Sequence, residues 1–396
     1  MELTDQEVAN RVKQLLDVAD PKDQFAFRGA QFDAGLAWVY YPEGKGGLGA
    51  RRSQQAIVDE ALRDAGVPYH DLQVNPIGIG MGAPTVLTYG TEAMHRRYLR
   101  PLFTGEEVWC QLFSEPTNGS DVAGIPSRAV RDGDEWIVNG QKVWTTLAHL
   151  SRFGMLLTRT NPDVPKHKGL SYFVLDLQSP GVEVRPLFQI TGEAEFNEVF
   201  LTDVRVPHEN MLGAEGEGWR VATTTLMNER VALGGGGGGK GGGPIRSLVN
   251  VWERVRDELS PSQRRVHRDR VADLWAQAEI LRLTNQRAKV LAIAGNPGPE
   301  GSIGKLISAE LNQAIFEASL DLLGAEGMLH PPGYPMIRPD AAHAHTGVSS
   351  QFLRSRANTI EGGTSEIMRN ILAERVLGLP GDVRVDKDLP WTQIPK

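Results

Sequence analysis

Two short segments combine hydroxyl, amide and aromatic side chains in a way that could bind a planar, polar ligand. The first, residues 111–121, reads QLFSEPTNGSD and is rich in turn-forming residues. The second, residues 139–146, reads NGQKVWTT and places an indole beside two hydroxyl groups. An indole can stack on a flat ring while a hydroxyl donates a hydrogen bond to its edge, which suits a flavin. Each segment taken alone is more often an ordinary turn beside a core residue.

A run of glycines, residues 234–243, reads GGGGGGKGGG. It matches most of the phosphate-binding pattern G-x-x-x-x-G-K-[ST], but Gly241 follows Lys240, so no hydroxyl is available for a metal ion. No strand leads into the run, because residues 226–231 have a helical pattern. We therefore discount a nucleotide-hydrolysing site. The run is interpreted either as a flexible linker or as a helix that approaches a neighbour or a bulky ligand closely.

The elements that must position these segments fall into three zones. Residues 1–107 contain amphipathic helical patterns with Gly/Pro segments between them. Residues 108–218 contain short runs of β-branched and aromatic residues between turn signals, which predicts a small antiparallel barrel or sandwich. Residues 219–396 return to helical patterns and end in a polar tail at 382–396. This α-β-α order predicts an α+β fold with segregated helices and strands.

Individual elements follow from the same patterns. Helices are predicted over 7–18, 53–64, 91–99, 271–293, 304–323 and 364–376. In the first helix, Val8, Val12, Leu15 and Leu16 share one face. The Gly/Pro segments at 41–49 and 76–82 are expected to be loops or helix breaks.

Composition narrows the class of protein. The chain has 396 residues, which suggests two or three domains, and 40% hydrophobic with 23% charged residues argues against disorder. A net charge of -7 argues against nucleic-acid binding. A single cysteine, Cys110, suits a reducing cytosol. With no apolar run long enough for a membrane span, no secretory signal pattern and no metal-ligand spacing, we predict a cytoplasmic protein without a metal site.

Short motifs lie along nearly the whole chain. They include PEG at 42–44, GGLG at 46–49, GTE at 90–92, SEP at 114–116, GSD at 119–121, NGQKVW at 139–144, VRVP at 204–207, EGEGW at 215–219 and EGGTSE at 361–366. In this order they resemble the acyl-CoA dehydrogenase family. The resemblance implies an N-terminal helical domain (1–107), a central antiparallel β-domain that cradles the flavin (108–218) and a C-terminal four-helix bundle with the polar tail (219–396).

The resemblance also implies a cofactor, a substrate and the residues that contact them. The cofactor is non-covalent FAD and the substrate is an acyl-CoA thioester, from which a carboxylate removes the α-proton. The implied cofactor-binding residues are Gln111, Phe113, Ser114 and Ser120 along the flavin, Trp144 and Thr146 against its ring, and Thr364 and Glu366 near its ribose and phosphates. Ser120 would also lie near the pantetheine.

Two glutamates are candidates for the base. In many family members the base directly precedes the Gly-Thr-Ser sequence of a loop that corresponds here to residues 360–366, called the late loop. In this chain Gly362 occupies the position of that base, and Glu361 lies one residue earlier. In another branch the base comes from an earlier helix beside an arginine, and here Glu229 and Arg230 stand at that place. A solvated Glu-Arg pair on a helix face is the non-catalytic interpretation. We favour Glu229 as the base, with Arg230 helping to hold the site, and keep Glu361 as the alternative.

Two departures from the family pattern concern the neighbouring subunit, which in this family completes each FAD site. The Arg-x-x-Phe-Gly segment is replaced by ERVRDELSPS at 253–262, which has no Phe-Gly. The Gln-x-x-Gly-Gly-x-Gly loop reads DLLGAEG at 321–327, with Asp321 for Gln and Ala325 for Gly. A tetramer is expected in either case. It is a homotetramer with substituted contacts, or an α2β2 assembly with a related subunit, as in the actinobacterial steroid side-chain dehydrogenases.

The function expected is FAD-dependent α,β-dehydrogenation of an acyl-CoA, with electrons passed to an electron-transfer flavoprotein or a similar acceptor. The glycine run after Glu229 could enlarge the acyl cavity, which favours a bulky, steroid-like acyl group. Two alternatives stay open: a flavin-dependent oxidase or N-hydroxylase on the same fold, and a non-catalytic partner subunit of a heteromeric dehydrogenase.

Overall fold

The chain folds as helices, then strands, then helices, in the order that the sequence predicts. This computed structural model describes residues 3–234, 239–293, 301–330, 336–340, 347–384 and 386–395, without the side chains of residues 72, 230–234 and 289–293. The N-terminal helices are α1 (Asp5–Val18), α2 (Gln24–Asp33), α3 (Gln55–Asp64), α4 (Asp71–Val74), α5 (Ala83–Tyr89) and α6 (Glu92–Thr104).

Helix α1 shows how local sequence sets an element. Thr4 caps its N-terminus, and the Glu7 carboxylate accepts a hydrogen bond of 2.7 Å from the Thr4 backbone N–H, which completes a capping box. The helix buries Val8, Val12 and Leu15 as predicted, whereas Leu16 is only half-buried. The apolar spacing therefore identified the helix and most of its buried face.

The prediction of a loop or helix break at 76–82 is wrong. Residues Gly78–Gly82 form a turn of π-helix that runs directly into α5. The buried Asn75 side chain explains this, because its oxygen accepts from the backbone N–H of Gly78 and of Trp109, each at 3.1 Å. Its amide nitrogen donates to the carbonyl of Leu102 at 3.0 Å. One buried amide thus fixes a glycine-rich helix that local propensity would not form.

The central zone is a single sheet. Its strands are β1 (Trp109–Leu112), β2 (Arg128–Asp132), β3 (Glu135–Thr146), β4 (Phe153–Arg159), β5 (Leu170–Asp176), β6 (Val182–Pro186) and β7 (Phe196–Pro207). The order is β1-β4-β2-β3-β7-β6, with β5 paired to β4. The sheet is mainly antiparallel, as predicted, but β1 and β2 pair with β4 in parallel. Turn signals between neighbouring strands could not reveal these long-range pairings.

Strand β4 is buried on both faces. Met155 and Leu157 lie in one cluster with Leu102 of α6. Leu156 points to the opposite side and packs with Val199 of β7. Because side chains alternate across a strand, β4 joins the N-terminal helices to the core of the sheet.

The C-terminal helices are α7 (Gly218–Gly234), α8 (Pro244–Val255), α9 (Pro261–Ile293), α10 (Gly301–Leu323), α11 (Val348–Ser355) and α12 (Ser365–Arg375). Helix α10 packs against α7, α8, α9, α11 and α12 and is the centre of the predicted bundle. Leu248, Leu274 and Ile315 represent the apolar core shared by α8, α9 and α10. Across the residues that the structure describes, no helix is long and apolar enough to cross a membrane, and no cluster of potential metal ligands is found.

Candidate active site

A chain of buried hydroxyl groups fixes the helix that carries Glu229. The Thr225 hydroxyl of α7 lies 3.0 Å from the Tyr172 hydroxyl of β5 and 3.0 Å from the Thr85 hydroxyl of α5. Thr85 in turn donates to the carbonyl of Met81 in the π-helix. Burial, more than the nearby Glu229 carboxylate, raises the pKa of the Tyr172 phenol. Strand β5 and helices α5 and α7 therefore meet at Thr225, one turn of helix before Glu229.

Glu229 itself is half-buried and faces strand β1. The Gln111 amide nitrogen lies 3.4 Å from a Glu229 carboxylate oxygen. Two residues predicted for the site from segments far apart in sequence are thus in contact. Arg230 follows in the backbone of α7, and its side chain lies outside the described residues.

Glu361 is held tightly by other side chains. The two terminal nitrogens of Arg354 donate to its two carboxylate oxygens at 3.1 and 2.8 Å. The Asn358 amide adds a third hydrogen bond of 2.7 Å. Burial alone would lower the pKa of Arg354, but the charge and hydrogen bonds of Glu361 raise it. Such two-point pairing occupies both oxygens of Glu361 and fixes their direction.

Lys305 of α10, which no sequence motif predicts for the site, lies close to both candidate bases. Its side chain is buried, and its ammonium donates to the carbonyls of Asn358 and Gly363 at 2.8 and 2.6 Å. Burial lowers the pKa of Lys305, whereas the charges of Glu361, Glu229 and Glu366 act in the opposite direction. A lysine within a largely apolar helix was the signal in the sequence that could have identified it.

A buried ion pair anchors the first predicted flavin segment. The Lys142 ammonium lies 2.6 Å from the Glu115 carboxylate, and both side chains are almost fully buried. Lys142 also donates to the carbonyl of Phe113 at 3.1 Å. The Phe113 ring packs edge-to-face on Tyr172 in the core, so the part of Phe113 left for a ligand is its backbone. Ser114 is half-buried, while Ser120 is exposed.

Trp144 in the second segment has an unusual backbone and an exposed ring. A register shift between β3 and β7 lies at residues 142–145, and Trp144 adopts φ 59° there. Its side chain is 58% exposed, and its ring meets Phe196 edge-to-face at 5.8 Å. A left-handed conformation is unfavourable for a bulky residue and is found most often at functional sites. Thr146, at the end of β3, is half-buried.

Thr364 and Glu366 lie at the start of α12. The Thr364 hydroxyl accepts from the backbone N–H of Ile367 at 3.2 Å and caps the helix, while Glu366 is exposed in its first turn. The late loop also contacts the region around Trp144. The Arg354 guanidinium, which binds Glu361, lies 5.4 Å from the Phe196 ring against which Trp144 packs. Arg354 and Phe196 therefore connect the late loop to the register shift in β3 where Trp144 lies.

Three domain models of one family together cover most of the chain. The acyl-CoA dehydrogenase N-terminal domain matches residues 1–106, the middle domain 110–204 and the C-terminal domain 216–377. The chain belongs to the acyl-CoA dehydrogenase family. The predicted family and its α+β fold are therefore confirmed.

Similar proteins of this family come from mycobacteria. Acyl-CoA dehydrogenase FadE34 of Mycobacterium tuberculosis is 38% identical over 375 residues, which cover 94% of this chain and 48% of that protein. The chain thus spans about half the length of this relative. Acyl-CoA dehydrogenase IpdE1 of the same species is 37% identical over 351 residues, which cover 89% of this chain and 86% of that protein.

Solved structures of acyl-CoA dehydrogenases have the same fold. The Tcur3481-Tcur3483 steroid ACAD aligns with a TM-score of 0.70 and 26% identity, over 95% of this chain and 97% of that chain. The ChsE4-ChsE5 complex from Mycobacterium tuberculosis aligns with a TM-score of 0.70 and 27% identity, over 96% and 97%. Relatives named as acyl-CoA dehydrogenases confirm, at the level of the family, the prediction of an enzyme acting on CH–CH groups.

The cofactor of the acyl-CoA dehydrogenase family is FAD, so this prediction is also confirmed. The residues present fit that group. The exposed Trp144 indole offers a flat apolar face, and the capped N-terminus of α12 offers backbone N–H groups of the kind that bind phosphate. FAD would be held by Trp144 and Thr146 at its ring and by Thr364 at its phosphate end.

The two segments that the family resemblance predicts to reach a neighbour's FAD make ion pairs within this chain. Asp321, which replaces glutamine, pairs with Arg270 of α9. Arg254 from the first segment lies 3.1 Å from Glu326 of the second. The acidic substitution at Asp321 is thus matched by a cation of the same subunit.

The glycine run borders a cavity in the helical bundle. The cavity has a volume of about 370 Å³, and its lining includes Gly239, Gly241, Gly242, Gly243, Lys305 and Glu361. The Lys240 ammonium lies 5.5 Å from the centre of the Trp275 ring, which gives it a partner other than phosphate. Residues 235–238 of the run lie outside the described residues.

Proposed function

We propose that the chain catalyses the FAD-dependent α,β-dehydrogenation of a bulky acyl-CoA thioester, with Glu229 as the base. The observation that carries the choice of base is the contrast between the two glutamates. Arg354 and Asn358 engage both oxygens of the Glu361 carboxylate, whereas the Glu229 carboxylate lies 3.4 Å from the amide of Gln111, a residue predicted to lie along the flavin. A base must lie within reach of the substrate proton beside the flavin, and the contact with Gln111 favours Glu229 for that place.

The residues around Glu229 support this role. The Thr225 hydroxyl chain fixes the helix, and the Gln111 amide orients the carboxylate. Lys305 lies near Glu229, and the charge of Glu229 is one of the three that counter the effect of burial on the pKa of Lys305. FAD, when bound, supplies the acceptor for the β-hydride, and an external acceptor such as an electron-transfer flavoprotein would take the electrons onward.

A bulky acyl group is favoured by the cavity and by the relatives. A volume of about 370 Å³ is within the range of about 300–1,000 Å³ that ligand pockets occupy. Glycines on its wall leave room that side chains would fill. Relatives at 26 and 27% identity include a steroid ACAD and the ChsE4-ChsE5 complex. We therefore propose a polycyclic, steroid-like acyl group.

Anaerobic bleaching of the flavin band tests the reaction and the base. Wild-type enzyme is mixed with a steroid side-chain acyl-CoA and, separately, with butyryl-CoA. We expect bleaching that is faster with the steroid thioester. Glu229→Gln should abolish it while FAD stays bound, and Glu361→Gln, the matched change at the other glutamate, should keep it. Normal bleaching by Glu229→Gln would overturn the choice of base, and equal rates with both thioesters would overturn the bulky substrate.

We also propose that a related subunit completes the FAD site in an α2β2 assembly. The segments expected to reach a neighbour's FAD instead pair with each other and with α9. Asp321 stands where the family has glutamine, and because it pairs with Arg270 it offers no amide donor to a neighbour's pyrophosphate. The aligned ChsE4-ChsE5 structure is itself a complex of two chains, which supports this arrangement.

The FAD content of the purified chain tests whether a second type of subunit is needed to complete the FAD site. The chain purified alone should contain well under one FAD per subunit. Co-expression with a related acyl-CoA dehydrogenase chain should raise the content and give a complex of two chain types. Full FAD occupancy and full activity of the chain alone would show that it forms a complete homomeric enzyme.

A further inference from the structure

The last residues of the chain cross from the helical bundle to the sheet. The C-terminal domain of the family matches only as far as residue 377, so the segment 386–395, here called the strap, lies beyond that match. The backbone N–H of Trp391 donates to the carbonyl of Val164 at 3.0 Å, and that of Thr392 donates to Pro162 at 3.2 Å. The predicted polar tail is therefore a docked element.

Trp391 anchors the strap to the loop that follows Ser120. Its indole N–H donates to the carbonyl of Gly124 at 3.0 Å. The Arg159 guanidinium lies 4.6 Å from the centre of its ring. The same guanidinium donates to the carbonyl of Ala123 at 2.6 Å. Trp391 and the buried Arg159 thus contact each other and both bind carbonyls of the segment 122–124.

An ion-pair bridge makes the second attachment. The Lys166 ammonium lies 2.8 Å from Asp386 of the strap and 3.0 Å from Asp121, the residue after Ser120. Burial alone would lower the pKa of Lys166, but its hydrogen bonds to Asp386 and Asp121 raise it. Because the Lys166 side chain is only 11% exposed, the bridge is partly shielded from solvent.

We infer that the strap positions the loop 117–124 for acyl-CoA, with Asp386 and Trp391 as positioning residues. The inference rests on the proposed function and on the expectation, from the family resemblance, that Ser120 lies near the pantetheine of the acyl-CoA. Glu115 and Lys142 fix the loop at its start, and the strap with Arg159 and Lys166 fixes it at its end. The exposed Ser120 lies between these attachments. A loop that is already ordered loses less conformational entropy when the ligand binds.

Two point variants and a matched control test the strap in the holoenzyme, with its partner subunit if co-expression reveals one. Trp391→Ala removes the indole, and Asp386→Asn removes the charge that meets Lys166. Asp388→Asn makes the same charge change at an exposed position of the strap. Hydrogen exchange of peptides covering 113–127 reports the order of the loop without any ligand. Titration with the steroid acyl-CoA gives its Kd, and anaerobic bleaching gives the rate at saturation.

Trp391→Ala and Asp386→Asn should speed exchange in 117–124, and Asp388→Asn should not. The Kd for acyl-CoA should rise about tenfold in Trp391→Ala, while the bleaching rate at saturation stays within about twofold, because the loop orders once ligand is bound. Exchange and Kd equal to those of Asp388→Asn would overturn the inference, as would a lower saturated rate at unchanged Kd.

Two further outcomes distinguish a failure of this inference from misfolding of a variant and from failure of the proposed function. If circular dichroism shows that Trp391→Ala does not fold, Asp386→Asn carries the test, since it changes one partly exposed side chain. If the wild type neither binds nor is bleached by acyl-CoA, the proposed function fails, while the exchange data still decide whether the strap orders the loop.

Discussion

The Arg354 guanidinium grips the Glu361 carboxylate through two hydrogen bonds, of 3.1 and 2.8 Å. The Arg354 side chain is 8% exposed and that of Glu361 is 25% exposed, so the pair is largely sheltered from water. Arg354 also lies 3.7 Å from the buried Glu195, which joins the late loop to the sheet. Glu361 is therefore engaged in holding this loop to the sheet, which accords with the proposal that Glu229 is the base.

Removal of Arg354 should destabilise the protein more than neutralisation of Glu361. Arg354→Met leaves two carboxylates beside an apolar side chain, and we expect unfolding to become easier by about 3 kcal/mol. Glu361→Gln keeps hydrogen-bonding atoms in place and should cost about 1 kcal/mol. Urea unfolding followed by circular dichroism measures both.

A double variant provides the control for this pair. Arg354→Met/Glu361→Gln removes both charges, so it should be more stable than Arg354→Met alone. If the double variant loses as much as the sum of the two single changes, the residues do not interact as described.

The hydroxyl chain beneath Glu229 makes a second prediction. Thr225→Val keeps the shape of the side chain but removes the partner of both the Tyr172 and Thr85 hydroxyls. We expect a loss of about 1–3 kcal/mol in the free energy of unfolding, because buried polar groups are left without that bond. Bleaching by acyl-CoA should slow as well, since α7 carries Glu229.

Thr223→Val is the matched control for Thr225→Val. Thr223 lies on the same helix, and within the described part of the chain its hydroxyl donates to the carbonyl one turn earlier, at Trp219. It should change stability and bleaching little. Equal effects of the two valine variants would show that the hydroxyl chain has no special role.

Several features could be predicted because they depend on nearby residues. The spacing of apolar residues identified α1, and Thr91 and Thr364 mark the N-termini of α6 and α12 as capping residues do. Periodicity switching from helix to strand and back gave the order of the zones. The motif positions of Gln111 and Glu229 indicated one site, and their side chains lie 3.4 Å apart.

Other features depend on contacts between distant residues, which no local pattern encodes. Asn75 makes the π-helix possible by bonding to Gly78 and to Trp109, far along the chain. Lys305 comes to the site only because α10 packs beneath the loop that contains Gly363. The strap looked like a polar tail because its partners lie in another domain.

Trp144 makes a third prediction, concerning FAD binding. Its exposed ring on a strained backbone suits stacking against the isoalloxazine. Trp144→Ala should weaken FAD binding about tenfold, which corresponds to the upper range of aromatic stacking energies. Trp144→Phe should keep most of the affinity. The measurement is the fluorescence of FAD released on dilution.

A control for Trp144 is available at a nearby exposed side chain. Leu150 is 42% exposed and lies just beyond the end of β3, so Leu150→Ala tests whether any loss of apolar surface there releases FAD. It should leave FAD bound. Comparable release from Trp144→Ala and Leu150→Ala would remove the specific role of the indole.

The buried tyrosines make a fourth prediction, on stability at high pH. Burial raises the pKa of Tyr41 and of Tyr172 well above the ordinary value near 10. Above about pH 10 the unfolded chain therefore releases protons that the folded chain retains. Their contribution to stability is complete below that pH and is lost as the pH rises further. The phenolate absorbance of these residues should then appear together with loss of the circular dichroism signal.

Tyr172→Phe separates this effect from general alkaline damage. The variant has one fewer phenol to ionise, so its absorbance change on unfolding should be smaller and its unfolding should begin at a higher pH once the lost hydrogen bond to Thr225 is allowed for at neutral pH. Tyr41 has no such bond to Thr225 and remains as the internal reference. A phenolate signal that reaches full amplitude near pH 10 with circular dichroism intact would contradict the raised pKa values, because buried phenols cannot ionise in the folded chain without exposure to water.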